Sequence, residues 1–339
     1  KVEGPGGDSG RSYPPNPGGV SVLFASVNHR KRYLGLDLRH DGAHEVVERL
    51  LAGADVVIQN LRPGKAAELG IDADRCHRVN PRAVHCSVEA FYPADGPRPG
   101  FDLMVQAESG LLGLTGDAHG GPCRTPASIL DHVTSLWIAL GAMAALAGRR
   151  EAEVIKVTML DVAMALLNDR ASSYIATGEL PGRMGSSLAT TTPHRVYSTV
   201  DGDLVVGAPN DSLFRKLATL IGPPVDGDQR FVDQTGRLAH RGELDEMLER
   251  AFCSDTTAAW LVRLDAAGIP AANVRDLADA VDRHRRLSPT GFAEFADIPG
   301  LSIVAPPVRI GSGAWLPPAP GAVGADTREV LTGVLGFDA

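Results

Sequence analysis

Cysteine is scarce in this chain. Four occur in 339 residues, Cys76, Cys86, Cys123 and Cys253. Their spacings fit no zinc motif and no small disulfide scaffold. So few thiols in a long chain suit a reducing cytoplasm, the compartment expected here. Ten histidines are scattered without His-x-x-x-His or a similar spacing, so no metal site is expected. The chain also lacks a P-loop, a Gly-x-Gly-x-x-Gly pattern and a Ser-His-Asp set. Its longest apolar run, Leu136 to Ala147, is too short and too rich in Ala and Gly for a membrane span, and reads as a core helix. No signal-peptide pattern is visible. Positive charge is in deficit. A net charge of -8 argues against nucleic-acid binding as the main task.

What is present is a globular composition, 44% hydrophobic and 22% charged, with length for two domains. Lys1-Val2-Glu3 runs straight into Gly4-Pro5-Gly6-Gly7, as if at the end of a strand. A strand and a helix upstream of it are therefore expected. Residues 1–180 then alternate short β-rich runs with helical stretches. Strands are predicted at Tyr33–Leu38, Ala54–Asn60, Ala83–Val88 and Val154–Thr158. Helices are predicted at Ala43–Ala52, Asp102–Leu112, Asp131–Ala147 and Val162–Ile175. That alternation implies βαβ units and a mostly parallel sheet.

Gly178 to Thr192 is rich in Gly, Ser and Thr, and a linker is placed at 181–194. A smaller α+β module follows at 195–300. It opens with a predicted hairpin, Arg195–Val200 and Asp203–Ala208, joined by a type I′ turn at Asp201-Gly202. Asn210 is expected to cap the next helix, and Glu243–Phe252 and Thr256–Ala267 are further helices. The Pro- and Gly-rich segment 301–339 is expected to return to the first module, with a short helix at Thr327–Leu335.

Asp161 is the first candidate for chemistry. It follows Val154–Thr158 at the junction of strand and helix, in the helix's first turn and near its positive end. The ionised form favoured there is what a carboxylate nucleophile needs. An ordinary helix N-terminal Asp fits the same pattern. Asn60, Leu61 and Arg62 follow a buried strand, where open α/β sheets bind ligands. With Gly64 freeing backbone N–H groups they could hold a nucleotide, and a plain strand-to-helix turn is the alternative. His29, Arg30, Lys31 and Arg32 form a basic cluster, either a solvated turn or a contact for phosphates. Asp102 and Gln106 are spaced to share one helix face, whereas Glu108 is not. Asp131 precedes the apolar helix and reads as a cap, and His132 beside it need not meet it.

Together these segments resemble the class III CoA-transferases, the family that also contains the 2-methylacyl-CoA racemases. The resemblance runs along nearly the whole chain. It is carried by Lys1–Asp8, by Asn60-Leu61-Arg62-Pro63-Gly64 with Leu69-Gly70, and by Asn80-Pro81-Arg82 with Ser87. Gly100–Ala107 with Ser109-Gly110 and Thr115-Gly116, and Val157–Asp161, are its more specific parts. Asp201-Gly202, Asn210-Asp211, Phe214 and Ala267–Ala271 match the smaller domain.

The resemblance implies a Rossmann-like large domain, a smaller domain, and two chains interlocked as linked rings. It implies that Asp161 attacks an acyl-CoA thioester to give a mixed anhydride and free thiolate. An acceptor carboxylate then exchanges in, and CoA returns to it. CoA would lie near His29–Lys31 and Asn60–Arg62, with no metal. The racemase branch instead uses a His and an Asp to move the α-proton. Asp131 matches that Asp, but Phe101 stands where the His belongs, so racemisation or isomerisation is the runner-up. A CoA-binding protein without catalysis is a third reading. Two further departures are plain. The Gly-rich loop of the formyl-CoA:oxalate enzymes is not seen near Gly185-Ser186-Ser187, and the family's Gly-Phe-Gly after the Ser87 strand reads Ala90-Phe91-Tyr92.

Overall fold

β-Branched runs and amphipathic stretches alternate along a computed structural model that describes residues 1–96, 98–148, 151–295, 297–308 and 318–338. In chain order its first elements are β1 (Val2–Glu3), α1 (Val22–Asn28), β2 (Leu34–Gly35), α2 (Ala43–Ala52) and β3 (Val56–Gln59). Next come α3 (Lys65–Glu68), α4 (Ala73–Val79), β4 (Val84–Glu89), α5 (Asp102–Glu108) and α6 (Leu111–Leu114). They are followed by α7 (Ile129–Gly148), β5 (Val154–Thr158), α8 (Met159–Leu166) and α9 (Asn168–Thr177).

The remainder is β6 (His194–Ser198), β7 (Asp203–Gly207), α10 (Asp211–Ile221), α11 (Gln234–Ala239), α12 (Arg241–Phe252) and α13 (Thr257–Ala266). Then come β8 (Ala271–Asn273), α14 (Leu277–Leu287), β9 (Phe292–Glu294), β10 (Ser302–Val304) and α15 (Thr327–Glu329). The short terminal helix expected at Thr327–Leu335 is this one turn running into a π-helical turn at Val330–Val334. The chain divides into two units. One holds Lys1–Val105, Ser128–Leu166 and Ala280–Ala339, and the other holds Gln106–Ala127 and Leu167–Asp279.

The first unit is α/β. β3, β4 and β5 form a parallel sheet with β4 central, in the register Gln59↔Ser87 and Glu89↔Thr158. β1 and β2 form a second parallel pair. That pair is shorter than the predicted Tyr33–Leu38 strand, because its partner turns away at once, with Gly7 N–H donating to Gly4 O. α2 lays Val47 and Leu51 on Cys76 and Ala83. α7 lays Ile138 and Ala142 on Val84 and Cys86, with Ile155 and Val157 alongside. Val330 packs on Leu34 and Val46, so the late segment joins this unit's core.

α7 is longer than its apolar run suggested. Its 20 residues are long and apolar enough to cross a membrane by length and composition, although one stripe, Leu130, Thr134, Ile138 and Ala142, is buried.

The second unit carries the antiparallel sheet β6-β7-β8. Its core joins Tyr197, Leu204 and Val206 of the sheet to Phe214, Leu244, Phe252 and Trp260 of the helices. Buried Arg237 donates to Thr192 O, Phe231 O, Gln234 Oε1 and Asp211 Oδ1, which satisfies a charge that would be costly alone.

Three local expectations fail for identifiable reasons. The hairpin pairs Ser198 with Asp203, so its loop is Thr199–Gly202, four residues, and neither Asp201 nor Gly202 has the positive φ of a type I′ turn. The helix expected at Asp102–Leu112 stops at Glu108, and Gly110 takes φ 84°, a left-handed conformation that ends one helix and starts another. The helix expected at Val162–Ile175 is two helices that meet at Leu167, with φ -84° and ψ 6°. Such breaks leave the apolar spacing intact, so periodicity cannot reveal them.

Candidate active site

Parallel strands end in step, and their following loops share one edge of the sheet. Three such loops follow β3, β4 and β5. The first carries Asn60, Leu61 and Arg62. The second carries Ala90, Phe91 and Tyr92. The third is the start of α8, with Asp161. Glu89 and Thr158 are register partners, and Tyr92 and Asp161 each lie three residues beyond them. The Tyr92 hydroxyl donates to Asp161 Oδ1 at 2.6 Å. Asp161 is exposed, in the first turn of α8.

Packing fixes the loop that presents Tyr92. Phe91 is buried, and the Arg98 guanidinium lies 3.8 Å from its ring centroid. Gly100 has to be glycine here, since a Cβ at that position would fall 2.5 Å from Phe91 Cε2 and 2.6 Å from Ala90 Cβ. Tyr92 then precedes the short 3-10 turn Pro93–Asp95.

Asp102 and Asp131 come together, but through the backbone. Asp102 is buried, and its Oδ2 accepts from Leu130 N–H at 2.8 Å and Asp131 N–H at 3.4 Å. Asp102 therefore supplies the side-chain cap that the first turn of α7 needs. Asp131 is the third residue of that helix, not its cap, and its side chain is exposed. Local desolvation, then the Asp102 charge, raise the Asp131 pKa, and His132 partly offsets them. Gln106 is buried one turn beyond Asp102, with its Nε2 3.4 Å from Thr125 Oγ1, whereas Glu108 is exposed. The shared face predicted for Asp102 and Gln106 is found.

The loop after β3 closes on itself. Leu61 N–H donates to Gln59 Oε1 and Lys65 N–H to Arg62 O, so two of its amides are already used. The Asn60 and Arg62 side chains are exposed.

His29, Arg30 and Lys31 precede β2, with Arg30 at φ 61°. Lys31 Nζ donates to Val27 O and Asn28 Oδ1. Burial, then the Lys31 and Arg30 charges, lower the His29 pKa. Burial, then Lys1, lower that of Lys31. Among the described residues no group of three His, Cys, Asp or Glu is placed to hold a metal ion.

Tyr92 is the residue that sequence reasoning did not select. The departure from Gly-Phe-Gly marked its position, but only the register of β4 with β5 puts its hydroxyl on Asp161.

The fold and this edge define an α/β protein with an exposed carboxylate where parallel strands end. The chain belongs to CoA-transferase family III, whose family model matches residues 1–327. It is 33% identical over 291 residues to the acetyl-CoA:oxalate CoA-transferase of Acetobacter aceti, covering 83% of this chain and 75% of that protein. It is 30% identical over 353 residues to the succinyl-CoA:glutarate CoA-transferase of Mus musculus, covering 100% of this chain and 80% of the other. Its fold is similar to the crystal structure of a CaiB/BaiF family protein from Brucella suis, with a TM-score of 0.81 and 26% identity. That match covers 98% of this chain and 90% of the other.

Proposed function

We propose that this protein moves CoA from an acyl-CoA thioester to a free carboxylic acid, with Asp161 as the nucleophile. The observation that carries this reading is the exposed Asp161 carboxylate at the carboxyl edge of the parallel sheet, with one oxygen held by Tyr92. Oδ2 attacks the thioester carbonyl, the carbon–sulfur bond breaks, and CoA leaves as thiolate. The product is a mixed anhydride. The acceptor carboxylate attacks the Asp161 carbonyl and releases the donor acid. The thiolate then attacks the acceptor's acyl carbon and returns Asp161 to its carboxylate. No oxidant or metal is needed for this balance.

CoA is a substrate here. Its phosphates fit the exposed Arg30 and Lys31, whose crowding with His29 an anion would relieve, and the exposed Arg62. The two relatives named above act between two carboxylic acids, which agrees with an acid as acceptor. Racemisation is disfavoured. Phe101 is 74% exposed at the position of the expected His and has no exchangeable proton.

We also propose a homodimer. Leu136, Leu140 and Met143 leave an apolar stripe of α7 at 69%, 60% and 65% exposure, and covering it would favour association.

A mass-spectrometric screen of CoA esters against a panel of carboxylic acids tests the reaction. The expected result is a new CoA ester that forms as the donor ester disappears. Loss of α-protons to deuterated solvent without any exchange of CoA would overturn it.

A further inference from the structure

We propose that the Tyr92 hydroxyl is the oxyanion donor for the second half of the reaction, the breakdown of the anhydride on Asp161. The proposal rests on the reading of Asp161 as nucleophile. Tyr92 donates to Oδ1 at 2.6 Å, within the range of a hydroxyl bound to an ionised oxygen. That leaves Oδ2 as the attacking atom. Once Oδ2 is acylated, Oδ1 is the carbonyl oxygen of the aspartyl group. When the acceptor carboxylate adds to that carbonyl, the electron pair of the C=O bond moves onto Oδ1. The developing oxyanion then sits on the atom that Tyr92 already holds. A donor fixed before reaction acts without reorganisation cost, which is how oxyanion sites accelerate acyl transfer.

The two half-reactions should respond differently. In the first, Oδ1 passes from a carboxylate oxygen, the stronger acceptor, to a carbonyl oxygen, so Tyr92 gives acylation no advantage. In the second, Oδ1 gains charge in the transition state, so Tyr92 is needed. The same contact makes the Asp161 carbonyl a better electrophile than the substrate's own, and directs the acceptor to the enzyme side of the anhydride. The donor is held in place from behind. Phe91 is buried beneath Arg98, and Gly100 leaves room for it, so the phenol has a fixed base although it is itself 40% exposed.

Tyr92→Phe removes one oxygen from an exposed side chain, and its folding is checked by circular dichroism. Thiolate release is followed with a thiol-reactive dye in a single turnover, and exchange with an acceptor acid in the steady state. The expected result is acylation within about threefold of wild type and exchange slower by about 100- to 1000-fold. The acyl-Asp161 adduct should accumulate by mass spectrometry. Ring-fluorinated tyrosine at position 92, a stronger donor, should raise the exchange rate, which a purely structural role would not do. Equal loss in both half-reactions, or unchanged exchange, overturns the role of Tyr92 and leaves the nucleophile standing. A wild-type protein that exchanges CoA with no adduct on Asp161 overturns both.

Discussion

Asp102 accepts a hydrogen bond from the Leu130 N–H across 28 positions of sequence, at 2.8 Å. One carboxylate thereby anchors α5 to the start of α7. Leu130 is fully buried, so without Asp102 its N–H would have neither water nor protein partner. Asp102→Ala should cost about 1–3 kcal/mol of unfolding free energy, the usual penalty for a stranded buried donor. Asp102→Asn keeps an acceptor and should cost less. Urea denaturation of the two variants checks the order. Equal stability of Asp102→Ala and wild type would show that the cap contributes nothing.

The same contact shows what could be read in advance. Asp102 and Gln106 share a buried face because four residues make about one helical turn, a local property that spacing reveals. The capping partner could not be read, since it depends on how a distant helix packs. Asp161 was legible because a strand ending in Thr158 and a helix soon after it are both local patterns, although the helix starts at Met159 and not at Val162 as the spacing alone suggests. Tyr92 was legible only as an oddity, because the parallel register that brings its loop beside Asp161 is a tertiary fact. The hairpin was found in its strands and missed in its turn. Pairing of Ser198 with Asp203 sets a four-residue loop, and a Gly after Asp suggested a shorter one.

Stability should fall in mild acid partly through His85. This side chain is buried in β4, and its Nε2 contacts Ile71 O. Burial, the main cause, pushes its pKa below the ordinary value near 6.5, against a smaller upward pull from the Ile71 carbonyl. The unfolded chain therefore binds the proton more readily than the folded one. The stabilising contribution is complete above pH about 6.5 and is lost as the pH falls below it. His85→Gln should flatten the decline, by at most the one-proton slope of about 1.4 kcal/mol per pH unit. Some slope should remain, because the His29 pKa is also lowered, chiefly by burial. Urea midpoints measured from pH 7.5 to 5 decide it. Identical slopes in the variant and wild type would rule His85 out.

α7 presents two opposite stripes. Thr134, Ile138 and Ala142 are buried, whereas Leu136, Leu140 and Met143 are exposed. If a second copy covers the exposed stripe, Leu140→Asp should shift sedimentation from dimer towards monomer, since a buried unpaired charge is strongly disfavoured. A wild-type protein that sediments as a monomer at micromolar concentration would contradict the proposed dimer.

The proposed reaction turns on an oxygen of Asp161 bonding to the acyl carbon of a CoA ester. The direct measurement is peptide mass spectrometry of protein incubated with acyl-CoA and hydroxylamine. A hydroxamate is expected on Asp161 in the wild-type protein and none in Asp161→Ala, which should also lose CoA exchange. Full exchange in Asp161→Ala, or trapping at another residue, would contradict it.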